Sequence, residues 1–219
     1  MKTNSAKFVF GLFCAGAITF FNQSCESAKQ VVQETAEEVL ENTEEDATIY
    51  LYRLNQCALD ASGNVQVVPV TRRSIKTKNI HIITHGWAPG YLKAVNDYAS
   101  SHDGEILLAW QPEAINSSGQ RFFVDAFFDL AKSLISADPG STVLVFSWLD
   151  QSATSESGDI WKDWDQMCQA EDNTQIAADE LFGALSMATD WSVNHEIHLL
   201  GHSYGTVSYT HLTLPTSTH

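Results

Sequence analysis

Residues 196–205 read EIHLLGHSYG. The run opens as a strand, with apolar residues at 197, 199 and 200, and then meets Gly201-His202-Ser203-Tyr204-Gly205. A serine at a sharp turn between strand and helix is forced into a strained backbone conformation. Glycines two before and two after it remove the Cβ clashes that would block so tight a turn. The geometry lifts the Ser203 hydroxyl above the carboxyl edge of a sheet. It also sets the N–H of Tyr204 where negative charge on an oxygen could be stabilised.

Upstream, two more runs have the character of strands. NIHIITHG (79–86) is short, apolar and bounded by polar residues, as expected of a strand buried on both faces. STVLVFSW (141–148) has the same form. TIYLYRL (48–54) and VQVVPV (65–70) flank the turn cluster DASGN and predict an antiparallel hairpin. Between the central runs lie helical patterns. YLKAVNDYASS suggests a short helix, and RFFVDAFFDLAKSLIS (121–136) carries a stripe of Phe123, Phe127, Leu130 and Leu134, ended by Pro139-Gly140. NTQIAADELFGALSMATDW (173–191) carries Ala177, Leu181, Ala184, Leu185 and Ala188, with Asn173 or Thr174 as cap. EILLAW (105–110) reads as a further strand and DQSATSESGDIWKDWDQ (150–166) as a long polar loop. Strand and helix alternate after the hairpin, so the expected class is α/β: an antiparallel hairpin, then parallel strands joined by helical crossovers.

Three stretches carry a resemblance. HIITHGW, VLVFSWLDQSAT and IHLLGHSYG are similar, in order and character, to successive strand ends of lipase-type alpha/beta-hydrolases. The resemblance runs from about Thr48 to Thr206 and rests chiefly on the His85-Gly86 turn and the Gly-x-Ser-x-Gly turn. It implies Ser203 as nucleophile, with the backbone N–H groups of Tyr204 and Trp87 as the oxyanion hole. His85, Gly86, Gly201, His202 and Gly205 then shape the supporting turns, and neither histidine is the general base. The implied reaction is ester hydrolysis through an acyl-enzyme, on a small-molecule ester or lipid, without cofactor or metal. A peptidase or thioesterase on the same scaffold would differ only in leaving group. The other reading, from a different class, is a non-catalytic surface lipoprotein that uses the scaffold to bind a ligand or partner.

Such a serine needs a histidine to take its proton and a carboxylate to orient that histidine. In this family both follow the serine, acid first. Fourteen residues follow Gly205, with His211 and His219 but no Asp or Glu. The expectation is therefore an alpha/beta-hydrolase sheet incomplete at its C-terminus, lacking the serine's helix and the later strands, and inactive as it stands. VSYTHLTLPT (207–216) can be encoded by a string resembling a transposase-end sequencing adapter, so 207–219 reads as a non-native tail.

At the other end, Lys2 and Lys7 precede an apolar run from Phe8 to Phe21, too short for a comfortable membrane span and suited to an export signal core. Cys25 follows a polar break and resembles a lipoprotein lipidation site, although Asn22 stands where a Leu-like residue is usual. Ordinary cleavage and an uncleaved anchor are the alternatives; all three send the chain out of the cytoplasm, and lipidation would tether it to a membrane. Residues 1–25 are thus read as signal, 26–47 as an acidic tether, and 48–206 as the folded unit. The tether holds seven carboxylates between Glu34 and Asp46 with no Lys or Arg. Its weak stripe of Val32, Ala36, Val39 and Leu40 reads as a solvated spacer, with a partner-binding helix as the alternative. Against 27 acidic residues stand 12 Lys plus Arg, a formal charge of −15 that repels phosphate backbones and argues against nucleic acid. Cys57 and Cys168 are left as one disulfide or two thiols. His81 and His198 sit in apolar runs and read as core histidines. Trp110, Phe122, Phe123, Trp161 and Trp164 could pack a core or line a pocket.

Overall fold

The first pair of strands is set by its turn. Asp60 accepts the N–H groups of Ser62 and Asn64 on Oδ1, each at 2.8 Å, and its own N–H reaches Asn64 O at 2.8 Å. Gly63 takes φ +78° to complete the reversal. Pairing starts at once with Leu59 opposite Val65, so register counts back from the turn. The strands are therefore β3 (Leu54–Leu59) and β4 (Val65–Pro69), and not the expected 48–54. Tyr50 and Leu51 form a helical turn before β3.

The structure, a computed structural model, describes residues 7–14, 17–23, 50–122, 125–155 and 160–213; for 7–14, 17–23, 125, 160–164 and 209–213 it describes the backbone alone. Cys25, the whole of the acidic tether and Phe123 lie outside the described residues.

The fold is α/β with a mixed sheet. Its centre is β5 (Asn79–Thr84), β7 (Thr142–Phe146) and β9 (Glu196–His202), in the order β9-β5-β7 and all parallel. β3 joins β7 antiparallel, and β4 lies outside it. Beyond β9 run β1 (Lys7–Cys14), parallel to it, and β2 (Ala17–Gln23), antiparallel to β1. These two strands come from the segment read as an export signal. A two-residue pair, β6 (Ala88–Pro89) with β8 (Ala153–Thr154), ties together the loops after β5 and β7.

Six helices accompany the strands among the described residues: α1 (Leu92–Ser101), α2 (Asp125–Ala137), α3 (Leu149–Ser152), α4 (Ile160–Asp172), α5 (Thr174–Ala188) and α6 (Tyr204–Thr213). On one face, Leu54, Ile80, Ile82, Leu144, Phe146, Ile197 and Leu199 meet the predicted stripe of α5. On the other, Cys57, Ile83, Val143 and Val145 meet Ala131 of α2 and buried residues of the 91–114 segment. Each fully buried Leu or Ile contributes about 1.5–3 kcal/mol. β7, covered on both faces, is buried throughout. β9 instead alternates: Ile197 and Leu199 are buried, while His198 and Leu200 are half-buried.

Four further expectations change. EILLAW is not a strand: Leu107, Leu108 and Ala109 are buried in a loop, and the Ala109 N–H is spent on Ser147 Oγ at 3.0 Å instead of a ladder partner. The supposed loop 150–166 holds α3, β8 and the start of α4. Asn173 does not cap α5 through its side chain, which donates instead to Gln151 O at 2.8 Å. The serine's helix is formed, as α6: its first turn closes with Thr206 N–H on Ser203 O at 2.9 Å. Of the histidines expected in the core, His81 and His198 are half-buried and stack on each other, with ring centroids 4.6 Å apart. They share the side of the sheet on which β9 is less covered. Cys57 and Cys168 are both free thiols, and burial pushes the Cys57 thiol up to about 12. No helix among the described residues is long and apolar enough to cross a membrane.

Candidate active site

At the carboxyl end of β9 the chain turns into α6 through one residue, Ser203, at φ +53°. Among the described residues only Arg73 and Asp103 share a positive φ without being glycine. Such a conformation costs about 1–3 kcal/mol and persists only where the surroundings impose it. Here they do. A Cβ on Gly201 would come within 2.7 Å of Thr206 N, and one on Gly205 within 2.3 Å of His85 O. Both glycines are therefore close-approach positions, one against the returning helix and one against the turn after β5. Ser203 itself is exposed.

That neighbouring turn, His85-Gly86-Trp87, lies against the serine. A Cβ on Gly86 would sit 2.5 Å from His202 O, 2.6 Å from Ser203 Cβ and 3.2 Å from Ser203 Oγ. The parallel pairing of β5 with β9 brings the two strand ends together, with Thr84 opposite Gly201. Sequence residues 85–87 and 201–205 are thus gathered at one place. Tyr204 is the first residue of α6, and the opening N–H groups of a helix have no acceptor within it. The Trp87 indole donates to Thr154 Oγ1 at 2.8 Å, tying this turn to the loop after β7.

His85 is fully buried, and its ring is committed. Nε2 accepts the Trp148 N–H at 3.1 Å, which leaves the proton on Nδ1, 2.9 Å from Gly86 O. Burial, the leading cause, drives its pKa down to about 4. No nitrogen is left to take a proton from serine. His202 is exposed, with Phe127 edge-on at 6.3 Å. No histidine side chain among the described residues is hydrogen-bonded to Ser203 Oγ.

A cavity of about 410 Å³ opens beside the serine. Gly86, Trp87, Gly201 and His202 line it together with the apolar side chains of Ile83, Phe122, Phe127, Leu130 and Leu200. Phe127 and Leu130 belong to the helical stripe predicted over 121–136. Trp110 packs against the second core cluster and is not part of this lining. The side chains of Trp161 and Trp164 lie outside the described residues.

Behind the site is a charge cluster that residue spacing does not reveal. Arg53, 3 % exposed, holds Asp150 bidentately at 2.6 and 2.8 Å, and its Nε lies 3.1 Å from Glu180. Burial raises the Glu180 pKa against the opposing pull of Arg53. The three come from 53, 150 and 180, and only the fold joins them. No group of three or more His, Cys, Asp or Glu among the described residues is arranged to hold a metal ion.

No family model, curated protein or solved structure matches the chain.

Proposed function

We propose that Ser203 is the nucleophile of a serine hydrolase of alpha/beta-hydrolase type acting on carboxylic esters. The observation that carries the reading is the positive φ of Ser203 at a strand-to-helix turn, with the Gly86 turn closed against it. In this reading Ser203 Oγ attacks the ester carbonyl and its proton passes to a base. The Tyr204 and Trp87 N–H groups receive the oxyanion, the alcohol leaves with the proton, and water then releases the acid. The apolar cavity takes the hydrophobic part of the ester. Base and orienting acid come from outside the described residues. Export, with a lipid on Cys25 holding the protein to a membrane, completes the proposal.

The test uses the protein expressed from its locus after re-sequencing unfragmented DNA across the Thr206 codon. Hydrolysis of p-nitrophenyl esters is compared with that of Ser203→Ala, with circular dichroism to check folding. The expected loss is about 10⁴-fold or more. Turnover that survives the substitution ends the proposal. The lack of a histidine on Ser203 Oγ among the described residues favours a second reading, a module that binds an apolar ligand in the same cavity without turnover. Saturable ligand binding by a hydrolytically inert protein would select it.

A further inference from the structure

The turn facing Ser203 is held from behind by a residue that no motif marks. Trp148 is 0 % exposed, and both of its N–H donors go to one residue, 63 positions away. The indole Nε1–H donates to His85 O at 2.7 Å, and the backbone N–H donates to His85 Nε2 at 3.1 Å. The two rings lie stacked, with centroids 5.7 Å apart and planes 10° from parallel. Carbonyl and ring of His85 are therefore fixed together, and the ring fixes Gly86 in turn through Nδ1.

Trp148 is itself anchored. Ser147 N–H donates to Arg53 O at 3.0 Å, Ser147 Oγ accepts the Ala109 N–H, and the Arg53 guanidinium reaches Ser147 O at 3.4 Å. On the other side of His85 there is no slack. Its carbonyl oxygen stands 2.3 Å from where a Cβ on Gly205 would be, and Gly86 is closed on Ser203 Cβ. A shift of the His85 carbonyl by a few tenths of an ångström moves the Gly86-Trp87 turn relative to the serine. A hydrophobic core residue of equal volume would fill the same space without imposing that position.

We propose that Trp148 is a positioning residue for the Ser203 site, acting through His85 to hold the Gly86-Trp87 turn at the distance the serine requires. Its kinetic consequence rests on the reading of Ser203 as nucleophile; its structural consequence does not. A misplaced oxyanion donor is felt in the transition state and hardly in substrate binding, so kcat falls while KM stays.

Two variants test this. Trp148→Phe removes the indole N–H, and β-(3-benzothienyl)alanine at position 148 replaces that N–H by sulfur at nearly unchanged volume, which keeps the test open if the phenylalanine variant misfolds. In the locus-encoded protein, kcat should fall about 10–100-fold with KM within twofold. In the 219-residue chain, ¹⁵N-histidine NMR should show His85 as the Nδ1–H tautomer. Its two ring-nitrogen shifts should move in the variants, while those of His81 and His198 do not. Unchanged kcat in a folded variant, or unchanged His85 shifts, overturns the proposal. Absence of any Ser203-dependent turnover in the wild type would remove the nucleophile reading instead, and the His85 shifts would still decide whether Trp148 holds the turn.

Discussion

Acid should weaken this fold through His85 in a way that can be isolated. Unfolded, the ring has an ordinary histidine pKa of 6.5; folded, burial takes it to about 4. The native state thus binds fewer protons than the unfolded chain across that interval, and stability falls as pH falls. The contribution is fully present above pH 6.5 and is lost progressively down to about pH 4, amounting to ~3 kcal/mol in all and ~2 kcal/mol by pH 5. The structural reason is that protonating Nε2 destroys the acceptor for the Trp148 N–H, where both residues are fully buried. The assay is urea unfolding at pH 7 and pH 5, on the wild type and on His85→Gln, which cannot titrate. The half-buried His81, whose pKa burial also lowers, titrates in both proteins and cancels. The wild type should lose ~2 kcal/mol more than the variant over this interval. Equal losses, or a wild type that gains stability toward pH 5, would refute the burial and hydrogen bonding assigned to His85.

Two substitutions probe the strain and the charge cluster. Ser203→Gly should unfold at a higher urea midpoint than Ser203→Ala, by ~1 kcal/mol, because only glycine takes φ +53° without steric cost; equal midpoints would mean that the turn is relaxed. Arg53→Met should cost ~2–3 kcal/mol in urea unfolding by leaving the half-buried Asp150 and Glu180 without their cation. Lys93→Ala, which breaks an exposed helical pair with Asp97, should leave stability unchanged within error.

Sequence alone determined the parts of this protein that depend on local steric rules. A glycine two before and two after a serine, following an apolar run, allows the tight strand-to-helix turn, and the structure places Ser203 there at φ +53°. The stripe of α5 and the largely apolar run of β7 were legible because burial imposes a period, or removes it. What the fold alone decided are matters of register and meeting. The Asp60 turn, not strand propensity, moved the first strand from 48–54 to Leu54–Leu59. EILLAW lies in a loop, where the Ala109 N–H bonds Ser147 Oγ and not a ladder partner. The pairing of β5 with β9 set Gly86 against Ser203, and nothing in the spacing of residues 86 and 203 encodes that distance. No sequence motif marks Trp148, Arg53, Asp150 or Glu180. Their roles rest on hydrogen bonds and ion pairs between residues 63 to 127 positions apart, which exist only once the sheet has brought its strands into line.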